Sequence, residues 1–308
     1  MQYTRKSFVL FLLLSFGPVW LACAAMLLFG VPGGGAVTLL LTGFMFMPAV
    51  ASILTRLICK EGFANLRLNP NFRLRHEAPR AGRDGKLRQP NSAGLYALAF
   101  LLPTVTTLLG AGLYFLCYPE MFDRGFTTLA AMGVDPASAP LLLAVQVATA
   151  TFTGPLLNFI PALGEELGWR GYLQPKLETV MSARGAALVT GIIWGFWHAP
   201  MIALGHNYGT GYWGYPVTGI LLMTLFCVGV GMFLSYLACR TRSAVPCALA
   251  HGGVNAIAQI GVLFCLPGYV TLIGPLPMGA VSMVPALVSG AVFCLLLKKG
   301  RPAEETSA

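Results

Sequence analysis

The chain has 308 residues, of which 56% are hydrophobic and only 10% charged. Soluble domains carry roughly 25% charged residues, so this composition excludes a water-facing globular surface and makes lipid the expected solvent. The formal net charge of +9 does not indicate nucleic acid, because basic and aromatic residues do not interleave as they do on a nucleic-acid platform.

In chain order, the hydropathy pattern gives eight apolar segments: 7–29, 36–58, 93–117, 140–163, 184–204, 215–239, 244–266 and 270–297. A membrane-crossing helix needs about 20 apolar residues. The first segment follows Arg5 and Lys6 and runs to Phe29. It exceeds the roughly 7–15 residues of a secretory h-region, which predicts an uncleaved first span. Gly and Pro interrupt several segments, as membrane helices tolerate where neighbours satisfy the freed backbone groups. The one long polar connection, 60–92, is rich in Arg, Pro, Gly and Asn and reads as a basic cytoplasmic loop, partly ordered at the interface.

With the N-terminus inside, nineteen of the twenty basic residues fall on the inner side and only Arg124 falls outside. A wrong span count would scramble that asymmetry. The expected fold is therefore an all-α polytopic transmembrane helix bundle of about eight spans. Both termini are cytoplasmic, and residues 1–308 form a single membrane domain. The basic excess orients the chain and gives it affinity for anionic headgroups. No long repeat of the transporter kind is visible. None of the eight cysteines, Cys23, Cys59, Cys117, Cys227, Cys239, Cys247, Cys265 and Cys294, forms a CxxC pair. They read as small buried hydrophobes.

Three constellations carry chemistry. The first, Gly164 to Leu173 (GEELGWRGYL), sits at the inner end of the fourth segment. On a helix Glu165 and Glu166 point about 100° apart and can do different work. Glu166 and Arg170 are i,i+4 partners, which leaves Glu165 to act as a base or a ligand. The plain alternative is an interfacial charge cluster that ends the span. In the second, Gly191 to Pro200 (GIIWGFWHAP), Gly191 and Gly195 share a face that allows close helix approach. His198 lies on that face and points into the bundle, where bonding to a neighbouring carbonyl is the alternative to catalysis. In the third, HGGVN, His251 and Asn255 are one turn apart, suited to catalysis, ligation or polar helix–helix contact.

Each ionisable residue in a membrane costs about 2.5–3.5 kcal/mol. Glu165, Glu166, Arg170, His198 and His251 are therefore expected to share one polar cavity. His206 and Asn207 fall in an outer loop and read as having no chemical role, and His76 falls in the basic loop, where it reads as solvated. One depth mismatch stands: His198 lies about 21 Å along the fifth helix from Arg184, whereas His251 is only about 12 Å deep.

At these residues the chain resembles the CPBP (CAAX protease and bacteriocin-processing) family, also called ABI, which includes the type II CAAX prenyl endopeptidases. Glu165, Glu166 and Arg170 match its EExxxR motif. His198 matches FxxxH, with Trp194 where Phe is usual, and His251 and Asn255 match HxxxN. The resemblance covers about 155–260, the motif-bearing core.

The resemblance implies an endopeptidase that acts within or beside the bilayer on a membrane-associated peptide or protein, with no nucleic-acid partner, in a bacterial inner membrane. Two mechanisms remain open. Without a cofactor, Glu165 and His198 activate water, His251 and Asn255 stabilise the oxyanion, and Glu166 pairs with Arg170 to shape the site. With Zn2+, His198, His251 and a glutamate such as Glu165 hold the metal and the other glutamate is the base. The competing function is a non-catalytic membrane partner, such as a bacteriocin-immunity or scaffold protein. A transporter using the cluster as a proton relay is a third.

Overall fold

The computed structural model describes residues 3–33, 35–74, 76–81 and 87–297. Arg75, Arg83, Lys86, Lys298, Lys299 and Arg301, which entered the charge asymmetry, and both chain ends lie outside them. The helices are α1 (Arg5–Phe29), α2 (Gly35–Phe44), α3 (Met47–Ile58), α4 (Ala93–Cys117), α5 (Thr127–Ala131), α6 (Ala139–Phe152) and α7 (Gly154–Leu157), followed by α8 (Phe159–Gly168), α9 (Gln174–Leu177), α10 (Ala183–Trp197), α11 (Ala199–Ile202), α12 (Val217–Thr241), α13 (Val245–Ile257) and α14 (Val284–Leu296). The two-residue strands β1 (Arg80–Ala81) and β2 (Leu87–Arg88) pair antiparallel within the polar connection.

Local chemistry sets several of these boundaries. The Thr4 hydroxyl caps α1 by accepting from the Ser7 amide at 3.1 Å, and Ser182 caps α10 by accepting from the Gly185 amide at 3.2 Å. Such caps satisfy amides that have no partner within the helix. Pro155 and Pro161 fall in the fourth apolar segment, which is divided into α6, α7 and α8; proline lacks the amide that would continue the ladder. In the eighth segment helix begins at Val284 rather than 270. Residues 270–283 fold back instead, with the Ala280 and Val281 amides donating to the carbonyls of Leu272 and Ile273.

Among the described residues six helical stretches are long and apolar enough to cross a membrane: Arg5–Phe29, Gly35–Ile58, Ala93–Cys117, Ala183–Ile202, Val217–Thr241 and Val245–Phe264. The fourth and eighth segments supply the shorter apolar helices Ala139–Phe152 and Val284–Leu296. The chain is thus an all-helical, multi-pass integral membrane protein.

The bundle is built around α12, which packs against α10 and α14, and around α13, which packs against α4, α7 and α8. The close approach of α10 to α12 depends on two glycines. A Cβ on Gly195 would lie 2.4 Å from the Thr224 Cα, and one on Gly191 would lie 2.9 Å from the Val228 Cα. The small-residue face read from the sequence is therefore a helix–helix contact.

The polar connection is tied down on the end of the bundle from which α4 starts and at which α3 and α12 finish. Arg56, fully buried, donates to the carbonyls of Gly62, Asn65 and Gly171. Lys176 pairs with Glu61 and donates to the Ser7 hydroxyl at 2.9 Å. Arg67 reaches the Arg170 carbonyl at 3.3 Å, and Arg240 pairs with Glu77 at 2.7 Å. Partial order in this segment was expected; buried Arg56 and Lys176 and partly exposed Arg67 and Arg240 show how it is achieved. Cys23, Cys227, Cys247 and Cys265 are buried as expected, whereas Cys117 is exposed and the other three are half-buried.

Candidate active site

The glutamate motif is placed by an unusual backbone. Helix α8 ends at Gly168 and continues directly into a π-helical turn, Trp169–Leu173, before α9. Such turns insert an extra residue per turn and occur frequently at functional sites. Glu165 and Glu166 precede this turn, and Trp169 and Arg170 lie within it.

The two carboxylates have separate partners, as their angular separation predicts. Glu166, fully buried, accepts from one Arg170 amino group at 2.9 and 3.1 Å and from His251 Nδ1 at 2.9 Å. Glu165 is 3% exposed and takes different donors. Its Oε2 accepts from the indole N–H of Trp194 at 2.7 Å and of Trp169 at 3.2 Å. Its Oε1 faces His251 Nε2 at 4.0 Å, beyond direct hydrogen bonding.

Trp194 is the hub of the arrangement. Its indole N–H holds Glu165, and its backbone carbonyl accepts from His198 Nδ1 at 2.9 Å. The Arg170 guanidinium lies 4.8 Å over its ring. The ring centroids of His251 and His198 lie 5.1 and 6.0 Å away. Trp197 packs edge-on to His198 at 5.0 Å and to Trp169 at 6.1 Å, closing the aromatic wall. The depth mismatch between the two histidines is bridged here, because Trp194 lies one turn before His198.

These bonds fix the tautomers. A carbonyl only accepts, so His198 carries its proton on Nδ1 and a neutral ring presents Nε2 as a bare acceptor. His251 donates Nδ1–H to Glu166 and directs Nε2 toward Glu165. The other Arg170 nitrogens, Nε and Nη2, are buried and find no acceptor among the described residues. The guanidinium is held by Glu166 and by the Trp194 face instead.

Five of the six residues singled out from the sequence, Glu165, Glu166, Arg170, His198 and His251, thus meet in one buried cluster. Asn255, one turn past His251, is exposed and stands apart from these hydrogen bonds. Among the described residues no group of three or more His, Cys, Asp or Glu side chains is gathered that could hold a metal ion.

Sequence reading missed the tryptophans as donors. The signal was present: three of the chain's five tryptophans, Trp169, Trp194 and Trp197, fall within the first two motifs. Trp194→Phe keeps an aromatic face for Arg170 and His251 but deletes a donor to a buried carboxylate, an interaction worth about 1.5–3 kcal/mol. The variant is expected to remain folded and, on the endopeptidase reading proposed below, to lose roughly tenfold to a hundredfold in kcat, measured as cleavage rate at saturating substrate. An unchanged rate would mean that Trp169 alone suffices to hold Glu165.

Residues 147–257 match the family model described as Rce1-like, type II CAAX prenyl endopeptidase Rce1-like. That segment nearly coincides with the motif-bearing core. The protein named CAAX prenyl protease 2 from Methanococcus maripaludis is 28% identical over 129 residues, which cover 38% of this chain and 48% of that protein. The chain therefore spans about half the length of the curated relative it matches. The resemblance carried by the three motifs and the one found by these comparisons are the same.

Proposed function

We propose that the protein is an intramembrane endopeptidase that hydrolyses a peptide bond of a membrane-associated protein or peptide. One observation carries the reading: a carboxylate buried in a membrane bundle, held through one oxygen by two indole N–H groups, with its other oxygen facing a histidine at 4.0 Å. A structural carboxylate would be expected to saturate both oxygens; Glu165 keeps one for chemistry.

In this reading a water bound to Glu165 Oε1 and His198 Nε2 gives up a proton to Glu165 as its oxygen attacks the scissile carbonyl carbon. His251, which bonds Glu166 and faces Glu165, bears the positive charge that balances two carboxylates and one arginine. Its Nε2–H then donates to the developing oxyanion. Asn255 joins it as a second donor once substrate covers the exposed end of that helix face. Collapse of the intermediate breaks the C–N bond as Glu165 returns the proton to the leaving amine. The products are a carboxylic acid and an amine, and transfer of the acid proton to the amine leaves them as carboxylate and ammonium. No step requires a metal ion.

The test is cleavage of quenched membrane peptides by the purified, detergent-solubilised protein, beside Glu165→Gln and with a zinc chelator. Cleavage that survives the chelator and fails in Glu165→Gln supports the reading. Cleavage abolished by the chelator and restored by zinc would replace the metal-free mechanism. Folded wild type that cleaves nothing, across a library that includes prenylated peptides, would favour a non-catalytic membrane partner.

A further inference from the structure

A second polar feature lies outside the buried cluster. On the inner end of the bundle, Asn69, Asn71, Phe72, Arg73, His76 and Arg242 line a cavity of about 520 Å³. Among the described residues no carboxylate lines it. Glu77, the nearest in sequence, is engaged by Arg240. Arg73 and Arg242 make no ion pair among the described residues, and both are exposed. The α12 C-terminal carbonyls would repel an anion, but Asn71 Nδ2 donates to the Thr241 carbonyl at 2.8 Å and to the Arg242 carbonyl at 3.5 Å. The wall is braced by Tyr96, whose hydroxyl donates to the Pro70 carbonyl at 2.7 Å and whose ring packs on Phe72.

We propose that this cavity binds a phosphate-bearing anion, the headgroup of an anionic phospholipid of the inner leaflet, through Arg73, Arg242 and His76. Two guanidinium groups and an imidazole, with no carboxylate beside them among the described residues, are the donors that recognise a phosphodiester. The position matches as well, because the cavity sits at the basic end of a membrane bundle, where headgroups lie. His76 supplies a third argument: burial, and then the charge of Arg242, lowers its pKa, and a bound anion would relieve both the repulsion and the local positive excess. The site is mechanically close to the chemistry. The segment that lines it begins at Arg67, which bonds the Arg170 carbonyl, and accepts from the Ala244 amide at the start of α13.

The experiment uses the full-length protein in nanodiscs of phosphatidylcholine, with and without phosphatidylglycerol, and native mass spectrometry to count retained lipids. Wild type is expected to prefer phosphatidylglycerol by roughly thirtyfold, about fivefold for each of the two arginines near the surface. Arg73→Gln with Arg242→Gln is expected to lose that preference, while Arg124→Gln, at the opposite end, keeps it. A double variant that retains phosphatidylglycerol like wild type overturns the site. Should the double variant misfold, wild type still decides the matter through the His76 imidazole followed by NMR. Phosphatidylglycerol is expected to raise its pKa against the same neighbours, Arg242, Arg240 and Glu77, and no shift would overturn the site. Inorganic phosphate added to phosphatidylcholine discs separates the sources. A matching shift assigns the site to soluble phosphate and overturns the headgroup, and no shift with phosphate alone supports it.

Discussion

Glu165→Gln is expected to lower kcat by about 10²–10⁴-fold, the range contributed by a positioned general base, while the protein stays folded. Glutamine has the volume of glutamate and keeps an oxygen to accept from the indole N–H groups of Trp194 and Trp169. It loses only the basicity and the charge. Glu165→Ala is a poorer probe, because it leaves two buried donors without an acceptor at about 1–3 kcal/mol each, and a loss of folded protein would mimic a loss of chemistry. The checks are single-turnover cleavage and thermal melting in the same detergent. KM should change little, since the carboxylate acts on water rather than on the substrate's binding determinants. A variant that keeps more than a tenth of the wild-type rate would remove Glu165 from the role of base.

The parts of this molecule that were legible in the sequence are those governed by solvent and by helical spacing. Apolar length marked eight segments, six of which form helices long enough to cross a membrane among the described residues, and the cost of charges in lipid led to the inference that Glu165, Glu166, Arg170, His198 and His251 converge. The i,i+4 relation gave the Glu166–Arg170 pair. What was not legible depends on tertiary register. Nothing in the spacing of Glu165 and Trp194, 29 residues apart on different helices, reveals that one donates to the other. The π-helical turn at Trp169–Leu173 has no pattern that separates it from α-helix. Helix periodicity placed Asn255 on the His251 face, yet the second turn of that face emerges from the bundle and leaves Asn255 exposed. Hydropathy counted residues 270–283 as helix because it registers apolarity and not the missing proline amides.

The second large effect falls on stability rather than rate. Arg170→Met is expected to destabilise the protein by about 3–5 kcal/mol, the cost of breaking a buried ion pair from one side. Glu166 is fully buried, and the substitution would leave its carboxylate with His251 Nδ1 as its remaining partner at 2.9 Å. The Trp194 ring would also lose the cation it carries at 4.8 Å. Methionine fills much of the volume, so the loss measures charge more than packing. Removing both charges, Glu166→Gln with Arg170→Met, is expected to restore a good part of the melting temperature, because a neutral amide can still accept from His251. Activity is not expected to return with it, since His251 keeps an acceptor for its Nδ1 proton but loses the negative charge that balances its own. Recovery of stability without rate would separate the work of this pair in holding the bundle from its work in orienting His251. If the double variant is no more stable than Arg170→Met, the pair's contribution lies in packing around Trp194 and not in charge balance.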